Sequence, residues 1–182
     1  MVKAISNKEN CCRNMIRFVK GSLFSTNKTH SLAQCISGDV RHGMFRGISV
    51  EFLRIYPELE KLREYNTLEL GEVVPVMVDG KFIYNLVTKP LHWQKPVPSN
   101  LLVTMKAMKD HALKHSVKDI SIPFLGSGCD KMNFYKDVLP LIYDVFEDST
   151  INIHIYSRRP VSVSDQRSVM YIRSCSMMGA FT

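Results

Sequence analysis

Short apolar runs bounded by turn-forming residues alternate with longer segments of helical period along this chain, and that alternation limits the folds open to it. Residues 14–20 (NMIRFVK) and 31–36 (SLAQCI) read as strands between Gly, Ser and Asn turns. Over 48–56, Ile48, Phe52 and Ile55 recur at helical spacing, and Pro57 opens a second short helix to about Arg63. Residues 73–78 and 81–87 flank Asp79-Gly80, a pair suited to the positive φ of a tight hairpin turn. Pro90, Pro96 and Pro98 make 88–100 a loop. Ser99 or Asn100 then caps a helix whose apolar stripe runs through Leu101, Met105, Met108, Ala112 and Leu113 to about His115. A strand over 119–123 leads into a glycine-bearing loop at 126–130. Phe134, Val138, Leu141, Ile142, Val145 and Phe146 mark another helix, distorted by Pro140, and 151–156 is the last strand. The order β-β-α-β-β-α-β-α-β implies an α/β fold with a mixed sheet and helices on its faces. Such sheets bind ligands beyond the carboxyl ends of their strands, so the loops after Lys20, Ile36, Val87, Pro123 and Tyr156 are the ones to read.

A chain of 182 residues favours one domain with a real core, and 45% apolar against 23% charged residues is a globular balance. The expected division is an N-terminal extension at 1–13, a folded domain at 14–156 and a basic, mobile C-terminal tail at 157–182. No apolar run approaches the roughly 20 residues that span a bilayer, and residues 1–13 lack the apolar stretch of a signal peptide. An intracellular protein is expected, nuclear or cytoplasmic, without membrane contact and monomeric. Cys11, Cys12, Cys35, Cys129 and Cys175 are too irregular for a disulfide framework, and nothing completes a zinc site around Cys11-Cys12. The net charge of +7 raises the question of nucleic acid. Most of it sits at the ends: Lys3, Lys8 and Arg13 against Glu9, and Arg158, Arg159, Arg167 and Arg173 against Asp165. The weakly basic middle suits a phosphate-bearing small ligand better than a broad nucleic-acid surface.

Two loops carry chemistry. Pro123-Phe124-Leu125-Gly126-Ser127-Gly128-Cys129-Asp130 follows a strand and precedes a helix, where backbone N–H groups and the helix start can meet an anion. Taken alone, two glycines between a strand and a helix are more often just a tight turn. Ser37 to Gly47 is a second such loop. Gly43 and Gly47 permit close approach, and Arg41, His42 and Arg46 are either phosphate contacts or solvated side chains. Lys89, followed by Pro90, leaves the sheet along a defined path. It either marks the strand end or serves as a nucleophilic amine at the lip of a cleft. Asp130 either caps the following helix or faces the same cleft.

Taken together these segments resemble a macrodomain, an ADP-ribose-binding fold, and within that class the terminal ADP-ribose protein glycohydrolase (ADP-ribose glycohydrolase, O-acyl-ADP-ribose deacylase) family. The resemblance covers roughly Ile16 to Tyr156. It rests on Val19-Lys20-Gly21-Ser22-Leu23-Phe24, on Ser31 to Ser37, on Gly80-Lys81-Phe82-Ile83-Tyr84 leading to Val87-Thr88-Lys89, on Ala107-Met108-Lys109, on Pro123 to Asp130, and on Ile153 to Tyr156. It implies a three-layer α-β-α macrodomain with a mixed central sheet, needing no metal or cofactor. It also implies release of ADP-ribose from glutamate or aspartate esters, with Lys89 as nucleophile and Asp130 as acid–base partner. ADP-ribose and ADP-ribosylated proteins are the implied partners. Ser22, Leu23, Ser37, Gly43, Gly47, the loop Phe124, Leu125, Gly126, Ser127, Gly128 and Cys129, and Tyr156 and Arg158 are the implied ligand contacts.

The chain departs from the family pattern in three places. Gly21-Ser22 stands where macrodomains commonly carry Gly-Asp, whose carboxylate accepts a hydrogen bond from the adenine amine. The loop from Arg41 to Gly47 is about two residues longer, with Met44, Phe45 and Arg46 replacing smaller residues. Another 26 residues follow Tyr156, near where the family's chain ends. The alternative to an esterase is therefore a catalytically silent ADP-ribose reader, and the basic tails leave a nucleic-acid module as a third reading.

Overall fold

The computed structural model describes residues 15–43 and 46–158, so the extension at 1–13 and the tail beyond Arg158 lie outside the described residues. In chain order the elements are β1 (Ile16–Lys20), β2 (Ser31–Ser37), α1 (Val40–Gly43), α2 (Ile48–Ile55), β3 (Val73–Val78), β4 (Lys81–Lys89), α3 (Pro98–Lys114), β5 (Asp119–Ile122), α4 (Leu139–Phe146) and β6 (Asn152–Ser157). Turns of 3₁₀ helix at Leu23–Ser25 and Pro57–Glu64 and a π-helical turn at Phe134–Val138 complete them.

The six strands form one sheet in the order β1-β6-β5-β2-β4-β3. Every neighbouring pair is parallel except the β3–β4 hairpin, so the sheet is mixed. That hairpin turns at Asp79 (φ 49°) and Gly80 (φ 76°), the left-handed pair anticipated there. Alternation along the strands sends side chains to two cores. Ala33, Tyr84, Leu86, Ile120, Ile122, Ile153 and Ile155 meet α3 and α4 on one face. Leu32, Ile36, Ile83 and Val87 meet Val40, Phe52, Leu59 and Leu62 on the other. This is the three-layer α-β-α arrangement. Inside the second layer Gln34 donates to Asn85 at 2.8 Å, and Asn85 donates to the Val74 and Ile83 carbonyls, so these two buried amides tie β2, β3 and β4 together.

Several boundaries differ from expectation, each for a local reason. Strand β4 continues through Thr88 to Lys89 instead of yielding to a loop at Thr88. Pro90 disfavours helical backbone at Lys89, and the Lys89 carbonyl accepts from Gly38 N–H at 2.8 Å. Helix α3 begins at Pro98, with Val97 and not Ser99 or Asn100 at its cap, because proline has a preset φ and no donor to lose in a first turn. Leu113 is exposed and leaves the apolar stripe. Residues Pro57–Glu64 form a 3₁₀ helix, whose period of three brings Leu59 and Leu62 onto one buried face. The helix expected over 134–146 is divided: a π turn precedes α4, and Pro140 falls in α4's first turn, where its missing N–H is not needed. Among the described residues no helix is long and apolar enough to cross a membrane.

Candidate functional site

The carboxyl ends of β1, β6, β5, β2 and β4 open onto one cleft of about 760 Å³. At the β1 end, Gly21 N–H donates to the Ser157 carbonyl at 2.9 Å and ties this edge to β6. Ser22 then accepts from Phe24 N–H at 3.3 Å, capping the 3₁₀ turn that buries Leu23. Phe24 packs edge-on against Phe52 of α2, with centroids 5.0 Å apart. Tyr156 and Arg158 line the cleft from the end of β6, and Arg158 Nη2 lies 3.2 Å from Glu51 Oε2 on α2.

The loop after β5 forms the middle of the floor. Gly126 has φ 69°, and a Cβ there would lie 2.7 Å from Met132 Sδ, so both backbone and packing require glycine. Ser127 N–H and Oγ both donate to the Phe124 carbonyl, at 3.2 and 2.7 Å. The Phe124 ring stacks on Phe134 of the π turn, centroids 4.2 Å apart and 8° from parallel. Asn133, not Asp130, caps the helical turn that follows, accepting from Lys136 N–H at 3.1 Å. That frees Asp130 to face the cleft.

Across the cleft Gly47, at φ 61°, begins α2. Glycine is favoured there too, because φ 61° with ψ −139° is backbone that other residues rarely adopt, and a Cβ would reach Cys129 Sγ on the opposing loop at 3.4 Å, an ordinary contact. No side chain caps α2, and Ile48 and Ser49 of its first turn line the cleft, so first-turn N–H groups are available to an anion. The two glycine-bearing loops therefore face one another. Arg46 also lines the cleft, and Gly43 ends α1. Arg41 turns to the Arg63 carbonyl at 3.3 Å, and His42 is exposed. Met44 and Phe45 lie outside the described residues.

Where β2 and β4 end, Lys89 Nζ donates to Asp130 Oδ1 at 2.5 Å, the two side chains 11% and 13% exposed. Ser37 is buried beside them, and Cys35 adjoins the pair. Burial, reinforced by the charge on Asp130, pushes the Cys35 thiol up to about 12, so it stays protonated and is no nucleophile. Gly43 aside, whose surroundings lie outside the described residues, the residues expected in the site all line this one cleft.

Sequence reasoning missed a second pair, Asp39 Oδ2 and His92 Nδ1 at 2.6 Å, and the neighbouring Trp93. Burial raises the Asp39 carboxyl, but the Ser37 hydroxyl close by and the hydrogen bond with His92 outweigh it and hold Asp39 below its ordinary value. The pair joins residues 53 apart in a loop without periodicity, and only its place just after Lys89-Pro90 could have drawn attention to it.

Elsewhere His30, Asp119 and His154 bring ligand-type atoms within 4.8 Å of one another. Arg17 Nε, however, donates to His154 Nδ1 at 2.7 Å. The proton of neutral His154 is therefore on Nε2, donated to Asp119 at 2.8 Å, and no lone pair remains there for a metal.

The cleft offers opposed backbone donors for a diphosphate, apolar rings at one end, and an amine touching a carboxylate at the other. That is the equipment for holding a dinucleotide-like ligand and attacking an electrophilic carbon on it.

ADP-ribose glycohydrolase OARD1 of Homo sapiens is 40% identical to this chain over 142 residues, 78% of this chain and 91% of that protein. The Bos taurus protein of the same name is 39% identical over the same span. No protein-family model matches the chain. Among solved structures, the macrodomain of Thermus aquaticus DarG has a TM-score of 0.67 at 18% identity, covering 79% of this chain and 99% of that one, and the shared architecture is that of a macrodomain.

Proposed function

The chain belongs to the ADP-ribose glycohydrolase OARD1 family, and from that premise we propose that it binds ADP-ribose and hydrolyses it from glutamate and aspartate esters on proteins, and from O-acyl-ADP-ribose. The observation that carries this reading is the Lys89–Asp130 contact at the end of a cleft whose two glycine-bearing loops face each other. In the proposed binding mode adenine lies between Ser22, Phe24 and Tyr156, the diphosphate between α2's first turn and the 124–129 loop, and the distal ribose against Lys89 and Asp130.

An ammonium cannot attack, so Lys89 first passes a proton to Asp130 along the hydrogen bond they share. The free amine then forms a bond to the anomeric carbon of the distal ribose while the carbon–oxygen bond to the acyl group breaks. The electron pair leaves with the carboxylate, a good leaving group that needs no proton. Asp130 releases the proton it took to solvent as the carboxylate product leaves. Water then adds at the same carbon, giving a proton to the Asp130 carboxylate, and the bond to lysine breaks with its electron pair returning to the amine. Asp130 hands the proton back to Lys89 as free ADP-ribose forms. No metal or organic cofactor is needed for either step.

Intact-mass spectrometry during turnover of an ester-linked substrate tests this directly. The expected result is ADP-ribose release together with a protein species heavier by one ADP-ribosyl group, mapped to Lys89. Release without any adduct in quenched samples, and undiminished in Lys89→Ala, overturns the lysine mechanism. A second reading, a silent reader, is favoured by Ser22, which offers adenine an uncharged acceptor. It predicts ADP-ribose binding tighter than AMP binding with no release from any ester.

A further inference from the structure

We propose that the turn after β4, with Trp93 at its tip, is the subsite for the polypeptide that carries the ADP-ribose ester, and that this polypeptide is acidic. The proposal rests on the ligand orientation given above. With adenine at the β1–β6 end, the strand order carries the ligand across β5 to β2 and β4, where Lys89 and Asp130 meet. Among the described residues, the cleft wall past that pair along the same edge is the segment after Lys89, which supplies His92, Trp93, Gln94 and Lys95. Whatever is attached to the distal ribose must pass over it.

The turn is already shaped to receive something. Gln94 N–H closes it on the Leu91 carbonyl at 3.0 Å. Gly38 N–H holds the Lys89 carbonyl at 2.8 Å, Asp39 N–H holds the Pro90 carbonyl at 3.0 Å, and the Asp39 carboxylate grips His92. Pro96 is buried where the turn rejoins the domain. His92 in turn stands edge-on to the Trp93 ring, with centroids 4.8 Å apart. So the indole is propped in place, yet 65% exposed. A fixed, exposed tryptophan beside a binding cleft is the kind of residue that dominates protein recognition, because it contributes large contact area with little ordering cost. Lys95 follows on the same rim, exposed, and Lys131 lines the cleft as well. Their charges favour an acidic chain, the sort in which an esterified glutamate or aspartate resides. Asp39 and His92 are positioning residues on this account, and Trp93 a specificity-determining one.

Two substrates separate this inference from the reaction it depends on: an ADP-ribosyl-glutamate peptide with acidic flanks, and O-acetyl-ADP-ribose, which has almost no acceptor. The ratio of their kcat/KM values should fall about tenfold in Trp93→Ala, through KM for the peptide. Most of the ratio should return in Trp93→Phe, and His92→Ala should lower it by a smaller factor. An unchanged ratio in Trp93→Ala overturns the proposal. A basic-flanked peptide turned over as well as the acidic one overturns the commitment to acidic partners. If the wild type releases ADP-ribose from neither substrate, the reaction fails while the subsite is still decided by binding. Trp93 is the single tryptophan of the chain, so its emission reads the subsite alone. The peptide-linked ligand should quench or blue-shift it beyond what free ADP-ribose does, and identical spectra for the two ligands overturn the subsite.

Discussion

Two clusters in this molecule are built from similar ingredients and end in opposite conditions. Around Asp119 the groups cross-link one another: His154 and Asn152 both donate to its Oδ1 at 2.8 and 3.1 Å, Arg17 holds the far side of His154, and His30 Nδ1 engages Ser121 and Thr26. At the cleft, Lys89 and Asp130 meet each other through a single contact between Nζ and one carboxylate oxygen, where a ligand can reach them. Cross-linking among several elements makes the first cluster a strut that pins the 26–30 loop to β5 and β6. Bonding capacity left over at a cavity is what makes the second fit for chemistry.

The sharpest way to break that contrast is to remove the amine. Lys89→Ala should lower ester turnover by at least about a thousandfold while ADP-ribose affinity stays within a few fold. Lys89→Arg should be as inactive, since arginine keeps the charge but cannot give up a proton, and an arginine that restores turnover sinks nucleophilic catalysis. Asp130→Ala should also stop turnover, with a greater loss of affinity, both read by product release and calorimetry. The reciprocal test is Asp119→Ala. Stranding the donors of His154 and Asn152 should cost about 2 kcal/mol and lower the Tm by roughly 5 °C, with kcat of the folded protein nearly unchanged.

A smaller effect sharpens the other end of the cleft. Ser22→Asp should tighten ADP-ribose binding by about 1 kcal/mol, because a carboxylate is the stronger acceptor for the adenine amine. Weaker or equal binding by calorimetry places adenine elsewhere. Smallest is a pH effect confined to the strut. Burial lowers the pKa of His30 below its ordinary 6.5. The unfolded chain therefore takes up that proton before the folded one, and stability falls as pH drops below about 6.5 until the folded group also titrates. A Tm that declines from pH 7.5 to 5.5, less steeply in His30→Asn, is the expected outcome.

The element order, the Asp79-Gly80 hairpin and both glycine loops were legible in the sequence, because turn chemistry and apolar period are local properties. Lys89 and Asp130 were legible as candidates through the resemblance; their contact, 41 residues apart, was not. What the sequence hid was long-range or proline-dependent. Pro98 disguised a helix start as loop, Pro90 concealed that β4 continues to Lys89, and Pro140 suggested distortion where the chain sets a π turn before a regular helix. Trp93 and the Asp39–His92 pair carried no periodic signal, since loop residues acquire meaning only from what the sheet brings beside them.

The stack of Phe124 on Phe134 bears on time as well as shape. Phe18 and Tyr135 close around the same two rings, Phe18 edge-on to both at 6.2 and 6.4 Å and Tyr135 perpendicular to both at 5.7 and 5.5 Å. The loop proposed to cradle the ligand is thus tied to the interior by four aromatic side chains. On the proposed binding mode, association is expected as one concentration-dependent phase, checked by stopped-flow mixing with ADP-ribose. Differences in affinity among ligands then reside in how long each one stays.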